Sequence, residues 1–264
     1  MARDGVRGGA AVSPRVNTQR IIAAMMLTSI VGCGLPDARV PSDNSASRTR
    51  HVVVEESAPA AFGALEATGT PPPDRDPIAI TEALETRGLD TYLPELLEMR
   101  DGWSYRWRDR SLEPMRVWIE ASPLPNYHAD FAREVERAFD AWAGIGLPFV
   151  FTFVRDSARA EVHVTWVDRF EGRMTGRTLW RHDEHGWITG GAIELALHLP
   201  DGRPVVREGV RAVALHEVGH LVGLDHPADE SSVMSAQVFV TEMSEADRRT
   251  ARLVYALPPG RLRP

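Results

Sequence analysis

One segment constrains the fold of this 264-residue chain more than any other, because residues 215–227 read L-H-E-V-G-H-L-V-G-L-D-H-P. His216 and His220 are four residues apart, so on a helix their imidazoles project from one face, about one turn apart. Gly223 can adopt a positive φ and turn the chain sharply at the end of that helix. Such a turn lets His226 swing back toward the first two rings. The spacing therefore predicts a helix and a loop that converge on one point.

Three converging imidazoles are suited to bind zinc. They leave one coordination position for water, which is typical of a catalytic rather than a structural zinc site. We therefore predict one catalytic Zn²⁺, with His216, His220 and His226 as its ligands. Zinc lowers the pKa of a bound water to about 7, and Glu217 lies beside the ligands as the predicted general base. The alternative is a buried helix that carries five residues at this spacing by coincidence.

The pattern H-E-x-x-H-x-x-G-x-x-H is that of the metzincin metallopeptidases, and the resemblance extends beyond it. Met234, eight residues after His226, stands in the sequence S-V-M-S and looks like the methionine turn beneath the zinc in that clan. Ala236 occupies the position where some metzincins, such as astacins and serralysins, place a tyrosine. The chain therefore resembles the matrixins over about residues 103–258. This resemblance implies a zinc-dependent endopeptidase that hydrolyses peptide bonds.

The same resemblance implies an α+β metzincin (zincin-like) fold. Its twisted, mostly parallel sheet has an edge strand and two backing helices, and a small C-terminal subdomain carries the methionine turn and a final helix. Hydrophobic periodicity predicts helices over residues 131–142, 206–224 and 244–255, and strands over residues 115–120, 149–155, 161–168 and 190–199. An edge strand near residues 178–180 would accept the substrate as an added strand. Residues after Met234 would form the floor of the main specificity pocket.

Two departures from the matrixin pattern affect regulation and the loop beside the site. Matrixins often carry a prodomain cysteine that caps the zinc, but the only cysteine here is Cys33. Latency would therefore need another device or be absent. Pro227 follows the third histidine where matrixins commonly have serine; we expect it to leave zinc binding intact.

The amino terminus has the features of an export signal. Residues 1–20 contain four arginines, and the apolar run 21–32 ends in I-V-G before Cys33. Twelve residues are too few to span a bilayer but match a signal-peptide core. The end of the run resembles a bacterial lipobox, so we predict a signal peptide over residues 1–33 with lipid attachment at Cys33. The lipid would anchor the exported protein to a bacterial membrane, facing the periplasm or the cell surface; an ordinary signal and a secreted protein are the alternative.

Two further segments precede the predicted catalytic domain, which covers residues 103–264. Residues 34–76 are rich in proline, serine, alanine and acidic residues, which predicts a disordered tether. Residues 77–102 show two short helical patterns, broken at Gly88 and Pro94. They form either a small pro-segment or a support for the domain, and the pattern does not distinguish the two.

Composition limits the partners. The net charge of −7 argues against binding nucleic acid through phosphate contacts. We expect protein or peptide substrates, a monomer, and membrane contact through the lipid anchor only. A catalytically silent surface lipoprotein that binds peptide or glycan is the alternative, although retention of Glu217 argues against it. A zinc hydrolase that acts on a non-protein amide is a third possibility.

Additional metal sites have weak support. Four histidines fall where matrixins carry ligands for a second zinc, but the flanking acidic and glycine pattern is missing. They are His163, His182, His185 and His198. The acidic pairs Asp183–Glu184 and Asp229–Glu230 are compatible with a calcium site, but solvated surface is the expected state of both.

Overall fold

The computed structural model describes Val53–Val54, residues 76–238 and residues 240–262. Its helices are α1 (Pro77–Arg87), α2 (Leu93–Met99), α3 (Ala129–Ala143), α4 (Arg207–Leu221) and α5 (Glu245–Ala256). Its strands are β1 (Val53–Val54), β2 (Trp103–Ser104), β3 (Arg110–Ile119), β4 (Phe149–Phe153), β5 (Val162–Val167), β6 (Gly176–His182), β7 (Ile188–Ala196), β8 (Gln237–Val238) and β9 (Gly260–Arg261).

A five-stranded sheet with the order β4-β3-β5-β7-β6 lies at the centre of the fold. β3 runs parallel to β4 and β5, and β5 runs parallel to β7. Only β6 is antiparallel to its neighbour, and it occupies an edge of the sheet. α3 packs on α4, and α4 packs on β6 and β7. The predicted α+β architecture, with a mostly parallel sheet, an edge strand and two backing helices, is therefore confirmed.

Periodic burial explains why these elements form. In β5 the side chains of Val162, Val164 and Trp166 are buried and alternate with half-buried positions, as expected for a strand packed on one face. In α3 the buried stripe includes Phe139 and Trp142. The indole Nε1 of Trp142 donates to the main-chain oxygen of Leu215 at 2.8 Å. The stripe on α3 is thereby fixed directly to the helix that carries the histidine motif.

The start of β3 and the effect of Pro94 differ most from the predictions, whereas the bounds of the other predicted elements shift by three residues or fewer. β3 begins at residue 110 rather than 115, because Arg110 pairs with Phe149 ahead of a register shift. Residues 111–114 are exposed and carry no alternating pattern, so the sequence gives no sign of this extension. Pro94 does not break the second helical pattern but lies in the first turn of α2. A proline is tolerated there because the missing N–H has no partner within the helix. Gly88 ends α1, as predicted.

The segment before the sheet is attached to the last helix and to the end of the chain. The main-chain nitrogen of Tyr92 donates to Thr250 Oγ1 at 3.1 Å, and its phenol donates to Asp247 Oδ1 at 3.0 Å. β2 pairs antiparallel with β9. Asp247 also forms a capping box with Ser244 at the start of α5. The contacts of Tyr92 and the pairing of β2 with β9 thus join residues 77–104 to the C-terminal subdomain.

The predicted signal peptide and the lipid-attachment residue Cys33 lie outside the described residues. So does most of the predicted tether, where β1 is described and pairs antiparallel with β8. Among the described residues, no helix has the length and apolar character needed to cross a bilayer.

Candidate metal centre

The last two turns of α4 and the turn that follows it position the three histidines. His216 and His220 are fully buried on α4. Gly223 has a φ of +101°, and an added Cβ there would overlap the main-chain oxygen of Tyr105. Only glycine satisfies both conditions without strain. The sharp turn that the sequence predicts is therefore present, and it directs the chain back toward His226.

The three imidazoles meet through their Nε2 atoms. His220 Nε2 lies 3.0 Å from His216 Nε2 and 3.1 Å from His226 Nε2, and the remaining pair is 3.3 Å apart. A tetrahedral zinc with Zn–N bonds of about 2.0–2.1 Å holds its ligand nitrogens about 3.3 Å from one another. Histidine, cysteine and carboxylate side chains can all bind metal ions. Among the described residues, the group close enough together to hold one ion consists of these three histidines. The donor set and its spacing fit zinc.

Main-chain oxygens fix the tautomers of two rings. His216 Nδ1 lies 2.8 Å from Val233 O, and His220 Nδ1 lies 3.1 Å from Leu224 O. A carbonyl oxygen only accepts, so each Nδ1 carries the proton and donates it. Each Nε2 then presents a lone pair to the point where the rings meet. Partners of this kind orient metal ligands and raise their basicity.

The third histidine follows a buried carboxylate. Asp225 Oδ1 accepts from the main-chain nitrogen of His226 at 2.9 Å. Burial raises the pKa of Asp225, but the nearby charge of Arg100 and the hydrogen bond from His226 outweigh burial and leave the pKa below its usual value. The carboxylate therefore stays charged, and it binds both the Arg100 guanidinium and the main-chain N–H of His226.

Glu217 lies between α4 and the edge strand. Its side chain is fully buried, and Thr178 Oγ1 on β6 donates to its Oε2 at 2.7 Å. An added Cβ at Gly176 would overlap Glu217 Oε1, so the edge strand can approach this closely only with glycine there. Glu217 is not part of the ligand cluster. It directly follows the first ligand in the sequence and packs against the edge strand β6.

Met234 lies beneath α4. It is fully buried, and its main-chain nitrogen donates to Ser232 Oγ at 2.9 Å. An added Cβ at Gly219 would overlap Met234 Sδ and lie 3.0 Å from Trp142 Cζ2. The sulfur therefore packs against the helix at the residue before His220. Met234 therefore supports the last turn of α4, between the two histidines that this helix carries.

Replacing Gly219 with alanine should destabilise the protein despite the helix propensity of alanine. Propensity favours alanine over glycine by about 0.8–1.0 kcal/mol, whereas overpacking a filled core costs about 1–3 kcal/mol. We expect a net loss of unfolding free energy, measured by denaturant titration of the metal-free protein. In a Met234→Ala background the same substitution should lower the free energy of unfolding by less, because the methionine sulfur that would overlap the added methyl group is absent. An equal cost in both backgrounds would contradict this packing role.

The other histidines and acidic pairs make separate contacts and do not form a second ligand cluster within the described residues. The rings of His163, His182 and His185 have as polar partners Ser157 O, Asp183 O and Glu184 Oε1, respectively. The ring of His198 lies 2.8 Å from Asn126 Nδ2 and 3.1 Å from Asp168 Oδ1. The expectation of solvated surface is wrong for Asp183, which is buried and accepts from the main-chain nitrogens of His185 and Trp187 at 2.9 and 3.0 Å. Asp183 therefore closes a tight turn ending near Gly186, whose φ is +86°.

Sequence reasoning did not identify two residues of the centre, Thr178 and Arg100. Thr178 contacts Glu217 across 39 residues of sequence, and Arg100 contacts Asp225 across 125. No local pattern marks either pair. The one available signal that Thr178 faces inward is the alternation of Arg177 and Arg181 with Thr178 and Trp180 along this strand, which the burial pattern of β6 follows.

Comparison with known families agrees with this geometry. The family model of the matrixins, peptidase family M10, matches residues 107–256, which is more than half of the chain and includes the metal centre. A search of curated proteins finds no match. The family match, the histidine cluster and the five-stranded sheet lead to one assignment: the chain belongs to the matrixins, a family of zinc metallopeptidases.

Proposed function

We propose that this protein is a zinc-dependent endopeptidase that hydrolyses peptide bonds in protein or peptide substrates. The observation that carries the proposal is the meeting of three Nε2 atoms within 3.0–3.3 Å, with the buried Glu217 adjacent in sequence to the first of the three histidines. His216, His220 and His226 would hold the ion. When bound, zinc supplies Lewis-acid polarisation of a carbonyl and lowers the pKa of water to about 7.

Glu217 is the proposed general base. Its carboxylate would take the proton of the attacking water and later deliver that proton to the departing amine. Thr178 Oγ1 holds one carboxylate oxygen at 2.7 Å, which limits rotation of the side chain. Burial between α4 and β6 excludes bulk water from this carboxylate.

The edge strand β6 is the proposed substrate-binding element. Among the described strands it is last in the order of the sheet, and its outer edge would pair with an extended peptide. Its buried Thr178 binds Glu217, which brings the proposed base to the strand that would align the substrate. Recognition through main-chain pairing favours polypeptides over other amides. A silent binding protein would have no use for a buried carboxylate held in this position.

The test uses the full chain, a zinc assay and a mixed peptide library analysed by mass spectrometry. We expect about one zinc per chain, cleavage within peptides, loss of cleavage on chelation and recovery on addition of zinc. One bound zinc without cleavage would favour the binding-protein alternative. Absence of bound zinc would contradict the proposal at its foundation.

Substituting Thr178 tests the positioning of Glu217. Thr178→Val removes the hydroxyl while keeping the shape, and a hydrogen bond to a charged group contributes about 1.5–3 kcal/mol. We therefore expect kcat to fall about 10- to 100-fold, with zinc content unchanged. Thr178→Ser keeps the hydroxyl and should retain most of the activity. Equal activity in the valine and serine variants would show that the hydroxyl does not position Glu217.

We further propose that the protein is exported and anchored by a lipid on Cys33. The support is the apolar run 21–32 that ends at the only cysteine of the chain. Cys33→Ser should release the protein from the membrane fraction of the producing bacterium. A variant that stays in that fraction would contradict lipid anchoring at this residue.

A further inference from the structure

One arginine outside the matrixin match binds the turn between two of the proposed zinc ligands. Arg100 follows α2, whereas the family match begins at residue 107. Its Nη1 donates to Gly223 O at 2.9 Å and its Nη2 donates to Leu224 O at 3.0 Å. Its Nε and Nη2 both donate to Asp225 Oδ2, at 3.1 and 3.0 Å. A single guanidinium therefore contacts three consecutive residues of the turn.

Two of the groups that Arg100 binds also bind the proposed zinc ligands His220 and His226. Leu224 O accepts from Arg100 and also from His220 Nδ1, at 3.1 Å. Asp225 binds Arg100 through Oδ2 and the main-chain nitrogen of His226 through Oδ1. The arginine thus holds the carbonyl that orients the second ligand and the carboxylate that precedes the third.

The arrangement is too enclosed for water to replace it easily. The side chains of Arg100 and Asp225 are 10% and 5% exposed. Without the guanidinium, a charged carboxylate and two carbonyl oxygens would lose partners in a largely dry environment, which is strongly unfavourable. The turn would then be expected to rearrange, and His226 would move with it.

The rest of the segment is packed into the fold by contacts of its own. Leu93, Leu96 and Leu97 of α2 are buried in the core. Tyr92 binds Asp247 and Thr250 of α5. A segment that is removed on activation would be expected to cover the centre from outside, whereas this one supplies core residues and a partner of the metal-binding turn.

We propose that Arg100 is a positioning residue of the metal centre, and that residues 77–102 are a permanent support of the working protein rather than a removable pro-segment. This inference rests on the zinc site of the proposed function. It does not depend on turnover, since it concerns the ability of the three histidines to hold an ion.

The test measures affinity for zinc and the absorption spectrum of the cobalt-substituted full chain, without an activity assay. Arg100→Ala and Arg100→Lys should each weaken zinc binding, measured by competition with a chromophoric chelator. A lysine ammonium cannot reproduce the planar fork that spans the three acceptors. Loss of a residue that orients metal ligands typically costs 10- to 100-fold in affinity, and we expect a loss of about that size. The cobalt spectrum should shift because the ligand geometry changes.

The matched control is Tyr92→Phe, which removes the bond between α2 and Asp247 but leaves Arg100 intact. It should lower stability and leave zinc affinity close to the wild-type value, far from the 10- to 100-fold loss expected when a partner of metal ligands is removed. Equal loss of affinity in Tyr92→Phe and Arg100→Ala would show a general structural effect and overturn the proposal. If Arg100→Ala does not fold, Arg100→Gln/Asp225→Asn removes the buried charge and is measured in its place. Wild-type affinity in that folded double variant, or its failure to fold, would also overturn positioning by Arg100.

The amino terminus of the mature protein gives an independent check. Intact-mass analysis of the zinc-loaded protein from its native membrane should show a chain that retains residues 77–102. A mature chain that begins after Arg100 would overturn the support role. A protein that binds zinc but cleaves no peptide would leave this inference standing and contradict only the proposed function.

Discussion

Glu217→Gln is expected to bind zinc as the wild type does and to lose peptide cleavage by about 10²- to 10⁴-fold, the usual contribution of a general acid–base residue. Glutamine has the same shape, and its amide oxygen can still accept from Thr178. It cannot take a proton from water, so only the proposed chemical role is removed. Zinc content and the rate of peptide hydrolysis, measured on the same preparation, check this expectation.

Glu208→Gln is the matched control, because Glu208 is exposed in the first turn of the same helix. It should cleave at the wild-type rate. Undiminished cleavage by Glu217→Gln would remove Glu217 from the mechanism. Loss of zinc from Glu217→Gln would show instead that the carboxylate is needed to form the centre.

The largest expected effect on stability comes from Asp247→Ala. Asp247 is fully buried. Its Oδ1 accepts from Tyr92 Oη and Ser232 Oγ, and its Oδ2 accepts from Val233 N, Ser244 N and Ser244 Oγ. Alanine would leave these buried donors without their acceptor, and each unsatisfied buried group costs about 1–3 kcal/mol, so the summed loss is several kcal/mol. We expect a loss of that order in the free energy of unfolding, measured by denaturant titration followed by circular dichroism.

Asp247→Asn separates charge from geometry. The asparagine NH2 can take the place of Oδ1 and donate to the hydroxyls of Tyr92 and Ser232, because a hydroxyl can also accept. The asparagine oxygen can take the place of Oδ2 and still accept from the main-chain N–H groups of Val233 and Ser244. We therefore expect a clearly smaller loss than for alanine. Glu245→Ala, at an exposed position in the same turn, should cost no more than about 0.5 kcal/mol. Equal losses in the asparagine and alanine variants would mean that charge, rather than hydrogen-bond geometry, dominates at this position.

The fold and the central histidines could be predicted because local geometry determines them. The i, i+4 spacing on a helix places His216 and His220 on one face, and Gly223 allows the turn toward His226. Strand alternation and the helical stripe of α3 likewise depend on near neighbours in the sequence. These features give a period or a spacing that can be recognised without knowledge of the tertiary structure.

The supporting contacts could not be predicted, because each joins residues far apart in the sequence. Thr178 is an ordinary strand residue until the sheet edge meets α4. Arg100 follows a short helix and does not resemble a partner of a metal site. Asp183 looks like surface because its neighbours are polar, and only the closed turn around it shows that it is buried. Tertiary packing decides the role of each of these side chains.

The position of α2 bears on how recombinant versions of this protein should be designed. A fragment cut at the boundary of the family match, residue 107, would contain every histidine of the motif but leave out the cation that faces Asp225. Poor yield or weak metal content in such a fragment would reflect where the gene was trimmed. Screening libraries and crystallisation samples should therefore begin upstream of residue 77.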